Sequence, residues 1–250
     1  MIRIKNQAQI EGIRRSCDLL SRLFAHLKPL VVPGARLLDL DASARDYIVE
    51  RGGRPAFLGY EGFPGTLCLS VNEMVIHGIP DERILREGDI VGIDCGIDLD
   101  GYYSDAAVTL PVGKVSQEAR RLMAATRECL DLAIEAVKPG ARIHDIARAV
   151  FSRATREGYG VVRQYCGHGV GLEIHEDPQI PNYVSSGPNP RLLPGMVIAL
   201  EPMVNAGGPD VKVLDDDWTV VTMDGSLSAH YEHTVLVTQE GREVLTSWTF

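Results

Sequence analysis

Ile90-Val91-Gly92-Ile93-Asp94-Cys95-Gly96-Ile97-Asp98-Leu99-Asp100-Gly101-Tyr102-Tyr103-Ser104-Asp105-Ala106-Ala107-Val108-Thr109-Leu110 decides how this chain is read. Two apolar, strand-like runs flank an Asp-Gly turn signal, which predicts a β-hairpin. A four-residue loop, Asp98 to Gly101, sets Asp94 directly opposite Asp105; a two-residue loop at Asp100-Gly101 makes them diagonal neighbours. Either loop leaves both on one face, because strand side chains alternate with period two. Two carboxylates facing each other inside an apolar sheet repel, and need a shared proton or a metal.

Upstream, Ile10, Ile13, Cys17, Leu20, Phe24 and Leu27 recur at helical spacing, predicting an amphipathic helix over Gln7 to Leu27 that ends at Pro29. A second helix runs from Leu37 to about Glu50 and stops at Gly52-Gly53, and Pro55 to Pro80 reads as strand-like. Downstream, Ser116 is placed to cap a long helix, and Ile143 to Arg156 reads as another. Strands are expected at Val161 to Cys166, Met196 to Glu201, Trp218 to Met223 and His230 to Thr238, with a surface loop over Asn182 to Pro194.

The two halves repeat each other. Pro33-Gly34-Ala35-Arg36-Leu37-Leu38-Asp39 matches Pro139-Gly140-Ala141-Arg142-Ile143-His144-Asp145, each starting a helix. Gly88-Asp89-Ile90-Val91-Gly92-Ile93-Asp94 matches Gly195-Met196-Val197-Ile198-Ala199-Leu200-Glu201 at almost the same spacing, and Tyr103-Ser104-Asp105 can be laid on His230-Tyr231-Glu232. The expectation is one α+β domain over 1–250 with halves at about 1–112 and 113–250. In it Asp94 corresponds to Glu201 and Asp105 to Glu232. Two half-sheets closing on a pseudo-twofold would bring the four carboxylates together. A lone buried Asp beside a turn is usually a cap or an ion-pair partner. Four at repeat-equivalent strand positions point instead to divalent ions such as Mn, Fe, Co or Zn.

Gly167-His168-Gly169-Val170-Gly171-Leu172-Glu173-Ile174-His175-Glu176-Asp177-Pro178 adds nitrogen ligands or acid–base groups. It is a poor dinucleotide loop, because Pro178 and Pro181 stand where a helix should start. It is not an H-E-x-x-H site, since Gln179 holds the last position. There is no G-x-S-x-G elbow and no P-loop. His77, His168 and His175 lie among glycines, where backbone can approach a ligand. His26, His144, His230 and His233 read as structural, the last two close enough to Glu232 to support it.

A net charge of −9 argues against sequence-independent nucleic-acid binding. Five cysteines, an odd number without a C-x-x-C pair, argue against a disulfide framework and for a reducing cytoplasm. The N-terminus has no apolar core of a signal peptide, and no apolar run approaches membrane-spanning length, so no membrane partner is expected.

Taken together, Asn72 to Pro80, the Asp94/Asp105 hairpin, Gly167-His168-Gly169-Val170-Gly171, Glu201-Pro202-Met203-Val204-Asn205 and Tyr231-Glu232-His233-Thr234 resemble the type I methionine aminopeptidases in their short bacterial form. The resemblance covers nearly the whole chain. It implies the pita-bread fold, with a curved central sheet. It implies two divalent metals held by Asp94, Asp105, His168, Glu201 and Glu232, with Asp105 and Glu232 bridging. It makes His77 and His175 catalytic or substrate-contacting and Glu201 the proton shuttle. Tyr60, Phe63, Cys68 and Trp218 would wall a methionine pocket, with small second residues admitted beyond it. The implied substrate is a nascent polypeptide with N-terminal Met, met at the ribosome by a cytoplasmic monomer. A monovalent cation near Asn72 and Ser228 is a further expectation. One departure, Leu172-Glu173-Ile174, looks closer to the related Xaa-Pro peptidases, which are the alternative reading. A non-catalytic domain of the same fold, or carboxylates merely paired with Arg or Lys, are the blander ones.

Overall fold

The Asp100-Gly101 step settles the hairpin. In the computed structural model, which describes residues 1–248, both residues take positive φ, 55° and 81°. That conformation belongs to a two-residue turn whose twist matches the flanking strands. Strands Ile90–Leu99 and Tyr102–Pro111 therefore pair with Asp94 opposite Ala107 and Gly96 opposite Asp105. The carboxylates are diagonal neighbours on one face.

Cys68–Val71 and Arg54–Pro55 extend this sheet on the other side of Ile90–Leu99. Helix α1 (Gln7–Leu27) packs on the hairpin, α2 (Leu37–Glu50) beside it. Asn6 caps α1, accepting from the Gln9 N–H while the Gln9 side chain accepts from Asn6 N–H. Gly12 lets the Tyr102 ring lie against the helix, since a Cβ there would stand 2.4 Å from the ring. In the second half, α3 (Gln117–Ala136, capped by Ser116) and α4 (Ile143–Arg156) cover a sheet ordered Arg242–Val244, His233–Val237, Val197–Leu200, Gly167–Gly169, Glu176–Ile180.

The repeat is visible in hydrogen bonds. Gly34 N–H donates to Leu85 O and Leu85 N–H to Ala35 O, both at 2.8 Å. Gly140 N–H donates to Leu192 O and Leu192 N–H to Ala141 O, at 2.8 and 2.7 Å. Gly34 and Gly140 hold φ of 95° and 83°, which a side chain would strain. The register also identifies the counterpart of His168. His168 pairs with Ala199 as Ser70 pairs with Gly92, and Gly92 matches Ala199 in the repeat. A hydroxyl therefore stands where the second half has an imidazole.

The halves meet along a seam between Tyr102–Pro111 and the segment 230–234. Ala107 N–H donates to Glu232 O (3.4 Å) and Glu232 N–H to Ala107 O (2.8 Å). On either side a threonine hydroxyl bridges the strands. Thr109 Oγ1 donates to His230 O and accepts from His230 N–H; Thr234 Oγ1 donates to Asp105 O and accepts from Asp105 N–H. The seam thus relates Thr109 to Thr234 and Ala107 to Glu232, two residues out of the alignment that pairs Asp105 with Glu232.

Two expected strands are each broken. Val161 to Cys166 is strand only at Gly160–Val161, which pairs with Met203–Asn205, and strand resumes at Gly167 in the other sheet. Likewise Ser228–His230 pairs with Met203–Asn205, whereas His233–Val237 pairs with Val197–Leu200. A chain that changes sheets cannot continue one ladder, and Glu232 sits at such a change. Asn182 to Pro194 is loop, as expected, and among the described residues no helix is long and apolar enough to cross a membrane.

Candidate active site

Asp94 projects from mid-strand; Asp105 follows it diagonally across the hairpin. Glu201 stands just after Val197–Leu200, and Glu232 reaches in from the seam. His168 lies on the short strand Gly167–Gly169. These five side chains line one cavity, together with His77, His175, Tyr60, Phe63, Cys68 and Trp218. These eleven expected side chains are therefore brought to one place, while Asn72 and Ser228 lie outside it.

Asp105 and Glu232 are buried, Asp94 and Glu201 half-buried, and the carboxylates are short of partners. Asp94 Oδ1, Asp105 Oδ1 and Glu232 Oε1 make no hydrogen bond within the protein. Burial pushes the Asp94 carboxyl up to about 8. It raises Asp105, Glu201 and Glu232 well above the carboxylate range, helped in each case by the charge of neighbouring acids. No Lys or Arg makes an ion pair with any of the four among the described residues; the basic groups beside Asp105 and Glu201 are imidazoles. That removes the reading in which the carboxylates simply pair with surface cations.

His168 has a defined tautomer. Its Nδ1 lies 2.9 Å from Gly169 O, and a carbonyl only accepts, so Nδ1 carries the proton. Nε2 is left with a bare lone pair, 3.4 Å from Glu201 Oε1 and 3.7 Å from Asp105 Oδ2. Burial, then the His175 charge, holds the ring neutral by lowering it to about 3. Ligand atoms of Asp105, His168 and Glu232 all lie within 4.8 Å of one another. Orphaned carboxylate oxygens beside an unprotonated, backbone-oriented imidazole are what hard-to-borderline divalent cations bind, so these residues fit metal.

Around this cradle stand the other groups. His77 has a left-handed backbone (φ 57°) and its ring meets Tyr165 edge-on at 5.5 Å. Burial, then His175, lowers it to about 4. The His175 ring is 4.5 Å from that of His168, and its Nδ1 is 3.0 Å from Tyr60 Oη. Phe57, Phe63, Cys68 and Ile174 form a buried apolar cluster, with Trp218 against it. Trp218 meets Phe63 edge-on at 5.1 Å. Its turn is pinned by Asp216, whose Oδ1 accepts from Trp218 and Thr219 N–H.

The divergent triplet separates into distinct roles. Ile174 enters the apolar cluster, while Glu173 points to solvent and pairs with Arg3 at 2.5 Å. Phe57 and Glu61 line the cavity and carry no motif that marks them. Phe57 is admitted by Gly96, where a Cβ would stand 2.8 Å from its ring. His230 Nε2 lies buried and without a hydrogen bond, 4.0 Å from Glu201 Oε2. His233 turns away, stacking on Trp248. Asn72 and Ser228 are adjacent, Ser228 N–H donating to Asn72 O, and their side chains are engaged with Asp89, Ile90 and Asn205.

Comparison with known proteins agrees with this geometry. A methionine aminopeptidase of Treponema pallidum is 52% identical over 250 residues, covering 100% of this chain and 98% of that protein. Methionine aminopeptidase 1 of Bacillus subtilis is 45% identical over 246 residues, 98% and 99% of the two chains. The crystal structure of methionine aminopeptidase from Thermotoga maritima superposes with a TM-score of 0.96 at 42% identity, over 99% of this chain and 100% of that one. The prolidase of Pyrococcus furiosus is more distant, with a TM-score of 0.82 at 26% identity, over 99% of this chain and 66% of that one. Residues 11–239 match metallopeptidase family M24, and the chain belongs to that family, with its pita-bread fold.

Proposed function

We infer that this chain is a methionine aminopeptidase, hydrolysing the first peptide bond of polypeptides that begin with Met. The observation that carries this is a soft apolar pocket opening directly on the five-ligand cradle. Tyr60, Phe63, Cys68 and Trp218 wall a space suited to a flexible thioether side chain, with Ile174 packed in the apolar cluster behind it. The full-length likeness to methionine aminopeptidases supports the same reading, whereas prolidases match at lower identity over a part of their length.

Asp94, Asp105, His168, Glu201 and Glu232 would hold two divalent ions. Bound there, the ions supply Lewis acidity that acidifies an attacking water and polarises the scissile carbonyl. Glu201 accepts the proton of that water and delivers it to the leaving amine. His77, held neutral by burial, donates a hydrogen bond without adding a charge, and with His175 it orients the amide and steadies the developing oxyanion. The nascent chain is the natural substrate, small second residues are preferred, and the protein works in the cytoplasm.

A panel of Met-Ala-Ser and Ala-Pro-Ser assayed with Mn, Fe, Co and Zn tests this. Cleavage of Met-Ala-Ser in preference to Ala-Pro-Ser, dependent on added metal, is expected. Preferential cleavage of Ala-Pro-Ser would replace it with the Xaa-Pro reading. Absence of stoichiometric metal binding would leave a binding domain of the same fold.

A further inference from the structure

His175 sits at the end of a bend, residues 171–175, that belongs to no strand. The bend is held by the next residue. Glu176 Oε1 accepts from the N–H groups of Leu172 (2.7 Å) and Glu173 (3.2 Å). Glu176 Oε2 accepts from Lys5 Nζ at 2.8 Å, and both side chains are only 1% exposed. Lys5 is itself anchored. Its N–H donates to Gly195 O at 2.9 Å, and its neighbour Asn6 caps α1. Gly195 has a φ of 90°, and a Cβ there would meet Lys5 O at 3.0 Å, so the contact is available only to glycine.

Other cations of this arm lie nearby. Arg3 pairs with Glu173 and the Met1 amino group with Asp177, but these partners are largely exposed and screened by solvent. Only the Lys5–Glu176 pair is desolvated. A buried ion pair contributes little net stability over an apolar pair of similar size. What it adds here is direction. With one oxygen on Lys5 and the other on two backbone N–H groups, the Glu176 carboxylate has one orientation, and so does the bend it closes.

We propose that Lys5 is a positioning residue for the peptidase reaction: acting through Glu176, it fixes the 171–175 bend and hence the place of the His175 imidazole beside His168 and Tyr60. This rests on the reading of His175 as a substrate-contacting group. The side chain of Lys5 touches neither the apolar pocket nor the carboxylate cradle, and no feature of its sequence neighbourhood marks it.

The test uses the full-length, Mn-loaded protein and Met-Ala-Ser. Lys5→Met is expected to lower kcat about tenfold or more, the scale of an ångström-level misplacement, with KM changed less than about twofold. Mn affinity measured by calorimetry is expected to stay at the wild-type value, because no metal-binding side chain is altered. In a His175→Ala background, Lys5→Met is expected to cause no further loss. Where Lys5→Met does not fold, Lys5→Met/Glu176→Gln takes its place in both comparisons: glutamine keeps the acceptor for Leu172 and Glu173 and strands no charge. A wild-type kcat in the Lys5 variant that folds overturns the proposal. So does an equal loss with and without His175. His175→Ala retaining wild-type kcat instead overturns the role given to His175, which separates the two failures.

Discussion

Stripping the divalent ions should turn the cradle into a pH-dependent weakness. Without cations, Asp94, Asp105, Glu201 and Glu232 share one buried cavity. Burial raises the Asp94 carboxyl from its ordinary 3.8 to about 8. A carboxyl raised in the fold favours the folded state when protonated. That contribution is fully present below the ordinary value and is lost as pH rises through about 8. Between pH 7 and 8.5 the loss from Asp94 alone is roughly 1 kcal/mol, at about 1.4 kcal/mol per pH unit of full linkage. For a chain of this size that is roughly 2–4 °C in Tm. Asp105, Glu201 and Glu232 are raised in the same direction and add to it. Desolvation lowers His77, His168, His230 and His233 to between about 3 and 4, so they are neutral in the fold across this window. Their ordinary value of 6.5 lies just below it, so together they regain roughly half a kcal/mol over the same rise, a change of opposite sign that those not held by the ions contribute to both curves and that largely cancels in their difference. Thermal unfolding in EDTA and in saturating Mn, at pH 7, 7.5, 8 and 8.5, reads this out. The Mn curve should lie above the EDTA curve by several degrees, and the gap should widen with pH. A gap that is absent, constant or narrowing would refute the argument, because buried carboxylates relieved by cations cannot behave that way.

Other changes probe other parts of the site. Glu201→Ala should reduce turnover of Met-Ala-Ser by roughly 10²- to 10⁴-fold, the usual contribution of a general base, with circular dichroism unchanged; wild-type turnover with Mn present would remove Glu201 from the mechanism. Gly96→Ala places a Cβ 2.8 Å from Phe57 and 2.9 Å from Ile174. It should cost about 1–3 kcal/mol by overpacking and raise KM for Met-led peptides, and an unchanged KM would show that these two side chains do not shape the pocket. Trp248→Phe deletes the indole N–H that donates to Glu232 O at 3.1 Å. A loss of about 1 kcal/mol is expected in urea unfolding, and no loss would mean that the C-terminal segment does not brace the Glu232 turn.

Much of the architecture was legible because it is written in short-range patterns. The helix bounds at Gln7–Leu27 and Ile143–Arg156 follow from apolar spacing and from Pro29 and Gly158. The shared face of Asp94 and Asp105 follows from strand alternation alone. The matching Pro-Gly-Ala-Arg segments disclosed the duplication because each half must solve the same local problem, a glycine turn paired to a later leucine. The cradle's membership was legible for the same reason: acids on apolar strands stand out against their neighbours.

What escaped the sequence are contacts between residues that carry no individual mark. Thr109 and Thr234 read as ordinary strand threonines, yet their hydroxyls stitch the two halves together. Phe57 becomes a pocket wall only because Gly96, distant in the chain, leaves it room. The breaks after Val161 and His230 depend on which sheet each side of the break joins. The amino-acid order by itself determined that four carboxylates and a histidine would share one duplicated sheet system, because periodicity and turn chemistry are local. Only the tertiary structure decided which hairpin register holds, which His168 nitrogen is bare, and that Lys5 reaches Glu176. The first two turn on backbone conformation that the packed fold selects at Asp100-Gly101 and His168-Gly169, and the third on two side chains that chain connectivity leaves far apart and that packing alone brings within hydrogen-bonding distance.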